Sequence, residues 1–177
     1  MRKRRLTLLL LSFMLCSIAL PAQRVTNSNN KLGVASPALG YDPKRDADND
    51  IQAAVAEARR SGRRVLVEVG GQWCVWCHIM KRFYLDHPEL LALREKYYVT
   101  VPVNFSVENR NQQVLSRYPA IHGYPHLFVL GGDGKLLHSE ATAGLEEGGS
   151  YNLERFMKFL EDWAPPDAVT NRNDSKL

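Results

Sequence analysis

Cysteine is scarce in this chain, with three among 177 residues. That excludes a disulfide-dense secreted scaffold and a four-cysteine zinc site. An excess of one charge is also lacking once its source is located. The formal net charge is +4, and Arg2, Lys3, Arg4 and Arg5 account for it within residues 1–22, a stretch without Asp or Glu. The rest of the chain holds 19 basic and 19 acidic residues. No basic patch follows from that balance, so no nucleic-acid partner is expected. Internal repeats and low-complexity tracts are missing too. Apolar residues make up 45% and charged ones 24%, the mix of an ordinary globular domain.

One long apolar run is present, and it is at the start. Leu6 to Leu20 is broken only by Thr7, Ser12 and Ser17, follows the four basic residues, and ends at Pro21-Ala22. As a helix it would cover roughly 22 Å, short of a bilayer core of about 30 Å. Basic start, apolar middle and small-residue end form the secretory pattern. Residues 1–22 are therefore expected to be a cleaved signal peptide. Nothing downstream resembles a second spanning segment, so a periplasmic or secreted protein without stable membrane association is expected.

Polar residues 23–48, with Asn27, Ser28, Asn29 and Asn30 in a row and Pro37 and Pro43 beyond, read as a flexible lead-in. A domain over 49–166 and a polar tail over 167–177 complete the organisation. Within the domain, Ile51, Ala54, Val55 and Ala58 have helical spacing, ended by Gly62. Val65 to Val69 reads as a strand covered on both faces. Trp73 to about Asp86 is an expected helix, and Pro88 opens another to about Lys96. Tyr97 to Asn104 reads as a strand, and Pro102, lacking an N–H, suits an edge. A polar helix is expected from about Glu108 to Arg117. Leu127–Leu130 and Lys135–Ala141, joined by Gly131-Gly132-Asp133-Gly134, predict an antiparallel hairpin. A last helix carries Leu153, Phe156, Met157, Leu160 and Trp163. This alternation predicts an α/β fold with helices on both faces of a mixed sheet.

Cys74-Val75-Trp76-Cys77 holds the only two thiols left after export. If Cys74 begins a helix, unpaired backbone N–H groups and the helix dipole favour its thiolate. Cys77 then lies on the same helical face, about 5–6 Å away between Cβ atoms. The pair is suited to attack by one sulfur on a foreign disulfide and release by the other. Glu68 lies in the apolar strand six residues earlier, where desolvation raises a carboxyl pKa. It is a candidate acceptor of the Cys77 proton; the alternative is that it points to solvent at a strand edge. Trp73 and Trp76 flank the dithiol as candidate substrate contacts, Trp73 as support and Trp76 as the partly exposed ring.

Trp73-Cys74-Val75-Trp76-Cys77 after an apolar strand, followed by Gly123-Tyr124-Pro125 before the hairpin, resembles the thioredoxin-like superfamily. Exported bacterial disulfide reductases and isomerases are the members it is most similar to. The resemblance covers roughly residues 50–164 and implies a thioredoxin-like fold with about four strands. It implies Cys74 as nucleophile, Cys77 as resolving thiol, and Pro125 as a cis-proline. That proline would bring the Tyr124 backbone alongside the dithiol to pair with substrate. A reversible Cys74–Cys77 disulfide, protein disulfide or thiol substrates, a redox partner protein, no cofactor and a monomer follow from it. The Val-Trp dipeptide departs from the Gly-Pro and His-containing pairs common in the superfamily, which leaves no dipeptide histidine beside the thiolate.

Two other classes fit parts of the same motif. Cys74 to His78 satisfies C-x-x-C-H, the attachment signature of c-type haem, with His78 as axial ligand. The strand before it and the hairpin after it are the wrong context for a helical cytochrome. Cys74 and Cys77 with His122 and His126 would make a soft-metal site for copper or zinc. His87 and His138 have no assigned role.

Overall fold

The computed structural model describes residues 40–166. The expected signal peptide 1–22, most of the 23–48 lead-in and the 167–177 tail lie outside the described residues. The domain starts earlier than expected. Helix α1 spans Ala47–Ser61, with Asp46 as N-cap accepting from the N–H groups of Asp48 and Asn49. Residues 40–46 are tied to the domain rather than serving as a linker: Asn109 donates to the Pro43 carbonyl at 2.9 Å and Gln72 to the Tyr41 carbonyl at 3.2 Å. Gly62, at φ 69°, returns its N–H to the Ala58 carbonyl and ends α1.

Strand β1, Arg64–Gly70, is next, followed by helices α2, Val75–Asp86, and α3, Pro88–Tyr97. Strands β2, Tyr98–Asn104, β3, His126–Leu130, and β4, Leu136–Ala141, complete a four-stranded sheet in the order β2-β1-β3-β4. β1 pairs parallel with β2 and antiparallel with β3, and β3 pairs antiparallel with β4. The sheet is mixed, as the alternation predicts. β2 is an edge, the position in which a strand tolerates the missing N–H of Pro102, which lies opposite Glu68.

β1, like β3, has a neighbour on each side and a core on each face. Val65, Val67 and Val69 face one apolar cluster with Ile51, Ala54 and Ala58 of α1. Leu66 faces the other, with Met80, Phe83 and Tyr84 of α2, Leu90 of α3, and Phe156, Phe159 and Leu160 of α5, Leu153–Asp162. Burying each of the larger of these side chains stabilises the fold by about 1.5–3 kcal/mol before entropy is counted. Because side chains alternate along a strand, Glu68 shares its face with Leu66 and is aimed at α2 and α3.

The expected helix over 108–117 is a single turn, α4, Gln112–Leu115. Short polar side chains win the preceding residues for a loop. Asn104 donates to the Asn109 carbonyl, Asn111 accepts nothing at its cap but donates to the Asn104 carbonyl, and Asn109 Oδ1 accepts from the Asn111 N–H. Such local bonds compete with helix formation. A 3-10 turn over Thr142–Leu145 and a small hairpin of β5, Glu146–Glu147, and β6, Ser150–Tyr151, lie between β4 and α5 and were not expected from the pattern.

Candidate redox site

Cys74 is the N-cap of α2, with extended backbone, and its sulfur accepts the Cys77 N–H at 3.1 Å. The two cysteines form a disulfide, with Cα atoms 5.2 Å apart, inside the range such bridges need. The fold thus puts Cys74 where the helix N-terminus favours a thiolate after reduction. In this oxidised state both cysteines are buried, each 3% exposed. Their neighbours are not: Trp73 is 55% and Val75 69% exposed.

The two tryptophans differ in exposure. Trp73, expected as support, is the exposed ring, tethered by an Nε1–H bond to the Phe105 carbonyl at 2.6 Å. Trp76 is half-buried against the core and edge-on to Tyr151, ring centres 5.5 Å apart. The sequence places an indole on each side of Cys74, but only the helix start at Val75 decides which one faces inward.

The Tyr124–Pro125 peptide bond is cis. Tyr124 lies edge-on to Trp73, ring centres 5.4 Å apart, and stacks on Phe105 at 5.0 Å. The loop before β3 is therefore joined to the dithiol rim through Trp73. Pro125 is buried and its carbonyl accepts from Thr142 Oγ1 at 2.9 Å.

Glu68 is buried, not turned to solvent. Burial raises its pKa above the ordinary carboxylate range, against the opposing pull of the Arg94 guanidinium. Arg94 Nη1 approaches Glu68 Oε1 to 3.3 Å, and its guanidinium covers the Tyr84 ring at 4.1 Å from the centroid. Neither Arg94 nor Tyr84 is among the expected site residues. Arg94 follows Leu90 by four and precedes Tyr97 by three, and all three are buried in α3. An arginine on an apolar helical stripe was the available signal. Among the described residues, Arg94 Nε and the Tyr84 hydroxyl are buried and no group meets hydrogen-bond geometry with either.

A cavity of about 140 Å³ adjoins these groups, lined by Tyr41, Glu68, Gln72, Cys77, His78 and Tyr84 among others. It brings Cys77 and the buried Glu68 carboxyl to one space. A cavity of that size is large enough to hold water.

Most residues named for the haem and metal alternatives have other partners in this oxidised state. Cys74 and Cys77 are bonded to each other, and His78 Nε2 donates to the Gln72 carbonyl at 2.8 Å. His126 is buried, hydrogen-bonded through Nε2 to Ser139 Oγ at 2.9 Å, and held below the ordinary histidine range by burial. His122 is exposed. Among the described residues, no three or more His, Cys, Asp and Glu side chains are grouped to hold a metal ion.

A mixed sheet between helices, a dithiol at a helix N-terminus and a cis-proline loop against its rim define a thioredoxin-like protein. A family model described as thioredoxin-like matches residues 46–132. Over 114 residues the chain is 29% identical to the thiol:disulfide interchange protein DsbD of Pseudomonas fluorescens, covering 63% of this chain. The chain spans only 19% of that relative's length. A disulphide isomerase from Xylella fastidiosa Temecula1 shares the fold with a TM-score of 0.59 and 24% identity, over 72% of this chain and 98% of the other. The C-terminal domain of Neisseria meningitidis DsbD in its oxidised form gives 0.50 and 20%, over 71% and 99%. The chain is similar to the thioredoxin-like family over the matched residues and has its fold. Among the described residues no helix is long and apolar enough to cross a membrane.

Proposed function

We propose that the protein is an exported thiol–disulfide oxidoreductase that reduces or isomerises protein disulfides through the Cys74/Cys77 couple. The observation that carries this reading is the disulfide at the start of α2, rimmed by Trp73 in contact with Tyr124 of the cis-proline loop. The DsbD relative and the isomerase neighbour support the same chemistry.

In the reductive direction, the Cys74 thiolate attacks one sulfur of a client disulfide. A Cys74–client mixed disulfide forms, and the other client sulfur leaves as a thiolate and takes a proton. Cys77 gives its proton to Glu68 through the cavity and attacks Cys74 Sγ. The second client thiolate leaves, the Cys74–Cys77 disulfide forms, and two electrons have passed to the client. In isomerisation a client thiol attacks the mixed disulfide instead, and the dithiol is recovered reduced. A redox partner protein reduces the couple again. Trp73, Trp76, Tyr124 and Pro125 form the client-facing rim, approached from the exposed side of Trp73 and Val75. Residues 1–22 direct export to the periplasm and are removed, and the mature protein works as a monomer.

Insulin reduction with dithiothreitol as donor tests the chemistry. The mature protein accelerates it, Cys74→Ser abolishes the acceleration, and Cys77→Ser accumulates mixed disulfide. Equal rates for wild type and Cys74→Ser would overturn the assignment. Intact-mass measurement of the exported protein tests the signal peptide: residues 1–22 are expected to be missing, and a full-length mass refutes their removal.

A further inference from the structure

Gly70 ends β1 directly beside the dithiol, and its lack of a side chain is filled by two neighbours. A Cβ at Gly70 would collide with Cys77 Sγ, and would stand 2.8 Å from Cζ and 2.9 Å from the hydroxyl oxygen of Tyr41. The phenol and the Cys77 sulfur therefore both occupy the space that a side chain at Gly70 would take. Tyr41 precedes α1, in the stretch that reads from sequence as a linker, yet it is held in place. Its carbonyl accepts from Gln72, and Asn109 grips the neighbouring Pro43. Its ring lines the cavity that also holds Glu68, Tyr84 and Cys77.

We propose that Tyr41 is a positioning residue for the resolving thiol: once the disulfide is reduced, its hydroxyl donates a hydrogen bond to Cys77 Sγ and favours the thiolate. The inference rests on the oxidoreductase reading above and adds the group that prepares Cys77 for its attack. The helix N-terminus serves Cys74, the N-cap; Cys77, in the first turn, gains little from it in competition. A phenol is suited to this place because burial and the nearby Glu68 keep its proton on. It donates without ionising, while Glu68 receives the proton that Cys77 loses. No bond to Tyr41 forms or breaks. The charged and titratable groups around the Cys77 side of the cavity are Glu68 on β1, His78, Lys81 and Tyr84 on α2, with Arg94 of α3 behind Glu68 and Tyr151 of β6 within electrostatic reach of Tyr41. Tyr41→Phe leaves all of these in place.

The test is the pH midpoint of iodoacetamide alkylation at Cys77, read by peptide mass spectrometry in full-length protein carrying Cys74→Ser. Tyr41→Phe is expected to raise that midpoint by about one pH unit, the effect of losing one hydrogen bond to the charged form. In protein with both cysteines, the same change lengthens the lifetime of the mixed disulfide about tenfold at neutral pH. Substituting 3-fluorotyrosine at position 41 strengthens the donor and moves the midpoint down, a change of opposite sign that altered packing does not produce. An unmoved midpoint in both variants overturns the proposal. So does a shift confined to Tyr41→Ala, which would make the ring a cover and the hydroxyl idle. Wild-type insulin reduction is measured alongside. Its failure would refute the oxidoreductase reading, whereas the Cys77 midpoint reports on Tyr41 by itself.

Discussion

Arg94 reaches from α3 to Glu68 of β1, Nη1 to Oε1 at 3.3 Å, with both side chains buried. The pair explains how an acid survives on the central strand of this sheet. Alone, Glu68 would be held neutral by desolvation; beside a guanidinium, it is drawn back toward ionisation while remaining above the ordinary carboxylate range. A carboxyl so balanced takes up a proton more readily than an exposed one.

The kinetic consequence concerns the second half of the reaction. Glu68→Gln is expected to slow resolution of the mixed disulfide by about 10²-fold, the lower end of general-base contributions, while its formation by Cys74 is unchanged. In wild type the resolution rate rises with pH through the raised Glu68 pKa, because the base is the carboxylate. That rise disappears in Glu68→Gln. Stopped-flow rates against pH measure both, and an unchanged profile removes Glu68 from the proton route.

The stability consequence has a definite sign. Arg94→Met leaves Glu68 with burial alone, so its folded pKa climbs further above its unfolded value. An acid raised in this way is lost as a source of stability when pH rises, since the folded state binds more protons than the unfolded one. Denaturant titration is expected to show a loss of about 3–5 kcal/mol at neutral pH. The loss is smaller below the ordinary carboxylate range, where Glu68 is protonated in both states. The double variant with Glu68→Gln recovers most of it, and a loss independent of pH would disprove the coupling.

Gly70→Ala addresses the contact over the end of β1. The added methyl meets Cys77 Sγ and the Tyr41 phenol, an overpacking expected to cost about 1–3 kcal/mol. The loss should be greater for oxidised protein, where the sulfur is fixed in the disulfide, than for reduced protein, where it can rotate. Melting temperatures of both forms measure the difference.

The rim separates into binding and packing. Trp73→Ala removes an exposed ring that touches Tyr124 and is expected to raise KM for a protein client several-fold with kcat little changed. Trp76→Ala opens a gap against Tyr151 and the core and lowers the melting temperature instead. Client kinetics and thermal unfolding of the two variants distinguish these roles.

Most of the architecture can be read from local pattern. Val65 to Val69 flags a strand buried on both faces, Pro102 marks an edge, and the glycine-rich turn at 131–134 joins an antiparallel pair. The dithiol reads directly, because its chemistry resides in adjacent residues. What escapes the pattern depends on partners distant in the chain. The 108–117 segment has helical composition, but Asn104, Asn109 and Asn111 bond to one another instead. Arg94 looks like one more surface cation until α3 packs it against Glu68. Tyr41 sits among glycines and prolines, and its role depends on a glycine on β1 that lies near it only in the folded chain.

Tyr41 also bears on where this unit begins. The stretch that matches the thioredoxin-like family model opens at residue 46. A recombinant fragment cut there would retain both cysteines, the buried acid and every strand of the main sheet, and would pass for an intact domain in a test of folding. It would nonetheless lack one wall of the chamber behind its own active sulfur, so any measurement of that sulfur's reactivity has to be made on protein that keeps its upstream residues.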